Sequence, residues 1–149
     1  MSLPSSATSL STEDLCLVVH APFGDDYALS RYPDGETLSV LRTPLVESLR
    51  GVASTGVAVV ALVDLPGEAT HLVNIPPGQP QAAHAEPHWK MDMSAAPTLS
   101  GLLRAAARAY PDRRLMLAVE GHGSGYQPAI DKAGLLALHE AGLVGDWHS

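Results

Sequence analysis

Three short apolar runs punctuate the chain: residues 15–20 (LCLVVH), 57–63 (VAVVALV) and 115–119 (LMLAV). None alternates with polar residues, which predicts strands covered on both faces of a sheet. Between the first two, Thr43 and Pro44 open a segment with apolar residues at 45, 46, 49, 52 and 53. A threonine N-cap, a proline at the first helical position and that spacing predict a helix, ended by Gly56. A second helix is expected over about 97–110, with Leu99, Leu102, Leu103, Ala106 and Ala107 on one side. Residues 70–75 (THLVNI) follow a Pro-Gly turn and read as a hairpin partner or edge strand. Residues 76–90 carry four prolines and read as loop. A short last helix is expected over 131–141, with Leu135, Leu136 and Leu138 apolar. Residues 1–13 are rich in Ser and Thr and read as a flexible arm before a single domain over 14–149.

The resulting order, β-α-β-(β)-α-β-α, predicts an α/β fold: a mostly parallel sheet with helices on both faces. Such sheets bind ligands beyond the carboxyl ends of their strands. The loops 20–26, 64–68 and 120–127 meet there.

Composition narrows the function. With 149 residues, 46% hydrophobic and 17% charged, the chain is long enough for a real core. A net charge of −7 without a Lys/Arg cluster disfavours nucleic-acid binding. No apolar run reaches membrane-spanning length, and the N-terminus lacks the basic and apolar regions of a signal peptide, so a cytoplasmic location is the expectation, with a secreted mature chain as the alternative. A lone cysteine, Cys16, makes no internal disulfide and no zinc motif.

The chemistry concentrates in residues 120–127 (EGHGSGYQ), directly after the third apolar run. Glycines let backbone N–H groups turn toward a ligand, and an imidazole moves protons near neutral pH. His122 is therefore the candidate proton-transfer residue, and Gly123 the candidate oxyanion donor. Ser124 lacks the Gly-x-Ser-x-Gly elbow of a nucleophile. Cys16 sits between leucines near the start of its strand, away from the loops, and reads as a small buried hydrophobe. His20, at the carboxyl end of the same strand, is a candidate pocket residue. His84 and His88 are four apart, but Pro87 between them argues against a helical metal pair, and no metal site is expected. Met91 and Met93 read as packing residues.

A strand followed by Glu-Gly-His-Gly-Ser-Gly-Tyr resembles the histidine loop of the clostripain family of cysteine peptidases, within the caspase–haemoglobinase fold. Residues 91–100 (MDMSAAPTLS), a helix and then residues 109–112 (AYPD) are similar to the segment that precedes that loop in the family. The apolar strand closing on Asp64 is a third, weaker likeness, and Ser94-Ala95 departs from the family's Gly-Asp. The resemblance runs from about residue 15 to residue 127. It implies a cysteine endopeptidase with a peptide or protein substrate, cleaving after Arg or Lys, with Asp25 and Asp26 near the specificity pocket. It implies no cofactor beyond the calcium known in the family, which nothing in these residues supports. The family's cysteine follows on the next strand, whereas the 27 residues after His122 contain none. The resemblance therefore implies an incomplete caspase-like domain, the histidine-bearing light-chain part. The cysteine would come from a downstream segment or a second chain, and this chain alone would be inactive with an unpaired sheet edge. The alternative is a non-catalytic scaffold or interaction domain of the same fold.

Overall fold

The computed structural model describes residues 11–24 and 39–121. Among the described residues five strands form one sheet: β1 (Leu15–Pro22), β2 (Ala58–Asp64), β3 (Ala69–Ile75), β4 (His84–Trp89) and β5 (Arg114–Val119), in the order β4-β3-β2-β1-β5. β1 pairs in parallel with both β2 and β5, whereas β3 is antiparallel to β2 and to β4. Four of the five strands therefore run in one direction, the three apolar runs β1, β2 and β5 among them. β5, expected to be covered on both faces, is instead half-exposed along its length.

Two helices cover opposite faces. α1 (Pro44–Ser54) packs Val46, Leu49 and Ala53 against Val19, Val59, Ala61 and Val63. α2 (Ala96–Ala109) sets Leu102 and Ala106 against Cys16, Val18, Ala58, Val60 and Leu62 on the other face. With a helix on each side, every residue of β2 is buried, which accounts for its unbroken apolar sequence. The local signals act as expected. The Thr43 Oγ1 accepts from the Val46 N–H at 3.3 Å, and its hydroxyl donates to Val40 O at 2.8 Å. After α1 the chain reverses at Gly56, whose φ of +102° suits glycine best. Tyr110 closes α2 by donating its hydroxyl to Asn74 Oδ1 at 2.6 Å.

Residues 76–90 are not all loop: β4 lies within them. Its sequence, HAEPHW, hides the strand because it has neither apolar alternation nor a continuous apolar run. Among the described residues β4 is an edge strand with one neighbour, the position in a sheet where a proline such as Pro87 is tolerated. β3 is accordingly the hairpin partner of β2 and lies inside the sheet. Of the residues read as a flexible arm, Ser11, Thr12 and Glu13 join Asp14 in a capped turn. Ser11 Oγ accepts from Glu13 N–H, and Asp14 Oδ2 accepts from Ser11 N–H, both at 3.2 Å. Residues 1–10 and the helix expected over 131–141 lie outside the described residues.

At the foot of the sheet, Arg113 ties three segments together. Its Nη1 donates to Gly56 O (2.8 Å), Leu15 O (3.1 Å) and Thr12 O (3.3 Å). At the far side β5 has β1 as its one neighbour among the described residues, and Met116, Leu117 and Val119 are exposed there.

Candidate functional site

The parallel register brings the carboxyl ends of β1, β2 and β5 to one rim. His20 of β1 stands beside Leu62 of β2 and Val119 of β5, and Pro22 stands beside Asp64. Beyond β5, the Glu120 N–H donates to His20 O at 2.8 Å, so the chain stays tied to β1 as far as Glu120. Gly121 is the last described residue. His122 and Gly123, the candidate catalytic residues, follow it and lie outside the described residues, as do Ser124, Asp25 and Asp26.

What the described residues build at this rim is a cavity of about 480 Å³, lined by His20, Pro22, Gly24, Asp64, Asp92, Ser94 and the two methionines between Lys90 and Ser94. His20 lines it, but the ring is only 8% exposed and is already engaged: Nε2 lies 2.8 Å from Met93 O. A carbonyl only accepts, so Nε2 carries the proton. Among the described residues Nδ1 is buried without a partner.

Asp64 is the second buried polar group at the rim. Its Oδ1 accepts from Thr70 Oγ1 at 3.0 Å and from Lys90 Nζ at 2.6 Å, and Lys90 also donates to Leu65 O at 2.7 Å. A buried carboxylate is stable only with such partners. The completely buried Thr70 relays the contact, because its Oγ1 accepts from the Met91 N–H at 3.0 Å. Gly24 closes over this pair: a Cβ there would stand 2.6 Å from Asp64 Oδ2.

These bonds converge on residues 90–94, a strap lying across the strand ends. Met91 and Met93 pack against the α2-side core, as expected of anchoring residues. Asp92 keeps an exposed carboxylate whose Oδ1 accepts from Ser94 N–H (3.0 Å) and Ser94 Oγ (2.6 Å), which lowers its pKa. Behind the strap, Met91 and Asp92 also border a cavity of about 410 Å³ under α2, beside Leu62, Leu72, Leu102 and the exposed Trp89.

The sequence did not reveal Thr70 and Lys90. The one available signal was that Thr70 opens the strand facing the end of β2. Cys16 is fully buried, and its position on β1, four residues before His20, sets it roughly 13 Å from the rim. Burial raises its thiol pKa to about 11, so it supplies no thiolate near neutral pH. Among the described residues no group of His, Cys, Asp and Glu could hold a metal ion. His84 and His88 both stand on β4, four residues apart.

No family model and no curated protein sequence matches this chain. Solved structures do. A B. fragilis cysteine protease superimposes with a TM-score of 0.55 at 16% identity, over 80% of this chain and 97% of that one. A clostripain from Bacteroides thetaiotaomicron, in complex with the peptide inhibitor BTN-VLTK-AOMK, superimposes at 0.54 and 14% identity, over 82% of this chain and 100% of that one. At these identities the likeness is one of fold. The chain has the caspase-like α/β fold of clostripain-type cysteine proteases.

Proposed function

We propose that this chain is the histidine-bearing part of a clostripain-like cysteine endopeptidase that cleaves after Arg or Lys. The observation that carries the proposal is the rim. Three parallel strands end together, and β5 runs through Glu120, bonded to His20, straight into the Gly-His-Gly sequence. Two further observations support it. This chain spans nearly the whole of a chain named a cysteine protease and of one named a clostripain, the latter in complex with the peptide inhibitor BTN-VLTK-AOMK. The exposed apolar residues of β5 also lie along the edge where another strand could add.

In this reading the attacking sulfur comes from a downstream segment or a second chain, since Cys16 is buried with its pKa raised. The thiolate forms a C–S bond to the scissile carbonyl carbon, and the carbonyl π pair moves onto oxygen, where the Gly123 N–H stabilises it. As the oxyanion collapses, the C–N bond breaks and His122, as imidazolium, gives its proton to the departing amine. Water then attacks the thioester. His122 accepts the water's proton, the acid product leaves, and the thiolate is restored. The acids Asp25 and Asp26 would face the substrate's basic side chain.

The test is reconstitution. Purified alone, the chain should not cleave Arg or Lys peptides. Co-expressed with the coding sequence downstream of it, it should yield thiol-sensitive cleavage that His122→Ala lowers by about 10²–10⁴-fold. Thiol-sensitive cleavage by this chain alone, or reconstituted cleavage untouched by His122→Ala, would overturn the proposal.

A further inference from the structure

We infer that His20 and Thr70 are positioning residues, which hold the 90–94 strap as the fixed wall of the rim cavity. His20 was expected to meet substrate, but its geometry points elsewhere. The ring is nine-tenths buried, and its one available donor is directed at a main-chain carbonyl of the strap. Thr70, on the neighbouring hairpin, does the matching work on a main-chain N–H two residues earlier. One bond engages a carbonyl and the other an amide, so together they fix both the height and the rotation of Met91–Met93.

The tethers come from different strands. His20 belongs to β1, which is central to the parallel set, and Thr70 to β3. Thr70 is itself oriented by Asp64 at the end of β2, whose carboxylate also holds Lys90 at the strap's first residue. Three strands therefore bear on a five-residue segment with no regular secondary structure of its own. A loop without such ties opens readily, because it has few buried contacts and solvent competes for its backbone bonds. Side chains committed to ordering backbone in this way are what a site needs when the backbone forms part of its wall. The same ties hold Met91 and Asp92 as the partition between the rim cavity and the apolar cavity beneath α2.

The purpose of the strap rests on the peptidase reading; its anchoring does not, and the experiment separates the two. Hydrogen exchange of residues 88–96, followed by mass spectrometry on the chain as it stands, compares wild type with His20→Ala, His20→Gln and Thr70→Val. Glutamine can still donate to the Met93 carbonyl, and valine keeps the shape of threonine without its hydroxyl. His20→Ala and Thr70→Val should each speed exchange in the strap by about fivefold or more, the worth of one lost hydrogen bond. Protection in β2 should stay as in wild type, and His20→Gln should restore most of the strap's protection. If His20→Ala disturbs β2 as well, Thr70→Val alone decides the question. A strap as protected in Thr70→Val as in wild type would then overturn the inference. Unchanged strap exchange in both variants would overturn it equally. In the reconstituted peptidase, the inference requires His20→Ala to raise KM several-fold more than it lowers kcat, with glutamine rescuing KM. Equal losses in both, without rescue, would refute a positioning role. Absence of cleavage by reconstituted wild type would count against the peptidase reading alone.

Discussion

Cys16 offers the sharpest test of where the reactive sulfur must come from. Truncation to alanine removes one heavy atom from a site with no solvent exposure, between the sheet and Leu102 of α2. The lost burial should cost about 1 kcal/mol near pH 8, on the scale of a single buried apolar group. The pH dependence adds a second and more specific signature. Burial raises the folded-state pKa of this thiol from 9.0 to about 11, against a smaller opposing pull from Arg113. Above pH 9 the unfolded chain releases the proton that the folded chain retains. The thiol's contribution is therefore complete below pH 9 and falls as pH rises toward 11, by about 1.4 kcal/mol per pH unit. The assay is urea denaturation of wild type and Cys16→Ala at matched pH from 7 to 11, so that every other titrating group cancels. The wild-type advantage should shrink and then reverse across pH 9–11. At pH 7.5, native Cys16 should also react with iodoacetamide at least about a hundredfold more slowly than a free thiol, from the two-unit shift alone. A stability difference flat up to pH 11, or rapid alkylation of the folded chain, would refute the burial argument. Loss of reconstituted cleavage in a well-folded Cys16→Ala chain would refute the conclusion drawn from it.

Two further outcomes test the frame that carries the site. Thr43→Ala removes the N-cap of α1 and leaves the Val46 N–H without its acceptor; denaturation should report a loss of about 1–2 kcal/mol. His71, whose pKa is lowered first by burial and then by the Lys90 charge, should titrate below 6.5 by NMR. Its folded pKa is depressed, so its contribution is present above the ordinary value and is lost as pH falls through the folded one. Lys90→Met should move the titration upward, and an unchanged midpoint would show that the Lys90 charge does not act on it.

The parts of the fold legible in the sequence are those whose burial leaves a mark in composition. β1 and β2 appear as apolar runs, since a strand with neighbours on both sides and a helix on each face has little room for polar residues. β5 appears as one too, although its apolar side chains stand largely exposed at the sheet edge and not covered on both faces. α1 announces itself through Thr43 and Pro44. β4 left no such mark. At the edge its side chains face water, and what makes it a strand is pairing with β3, which is a property of two segments. The same holds for the rim network. His20 was legible as a residue at a strand's end, yet its partner Met93 lies 73 residues away. Asp64 was legible too, but Thr70 and Lys90 become its partners only once the β3–β4 hairpin folds back. A sequence shows which residues can carry chemistry. Which of them are already committed to holding backbone depends on contacts between distant segments.

The clamp made by Arg113 bears on the order of events in folding. Its three carbonyl acceptors belong to the N-terminal turn, the start of β1 and the reversal before β2. The guanidinium itself arrives with the last described strand. Until β5 docks, those carbonyls must be satisfied by water, so the clamp closes only when the strand leading to the histidine loop is in register. One side chain thus records that β5 has joined the sheet, at the end of the strands opposite the rim.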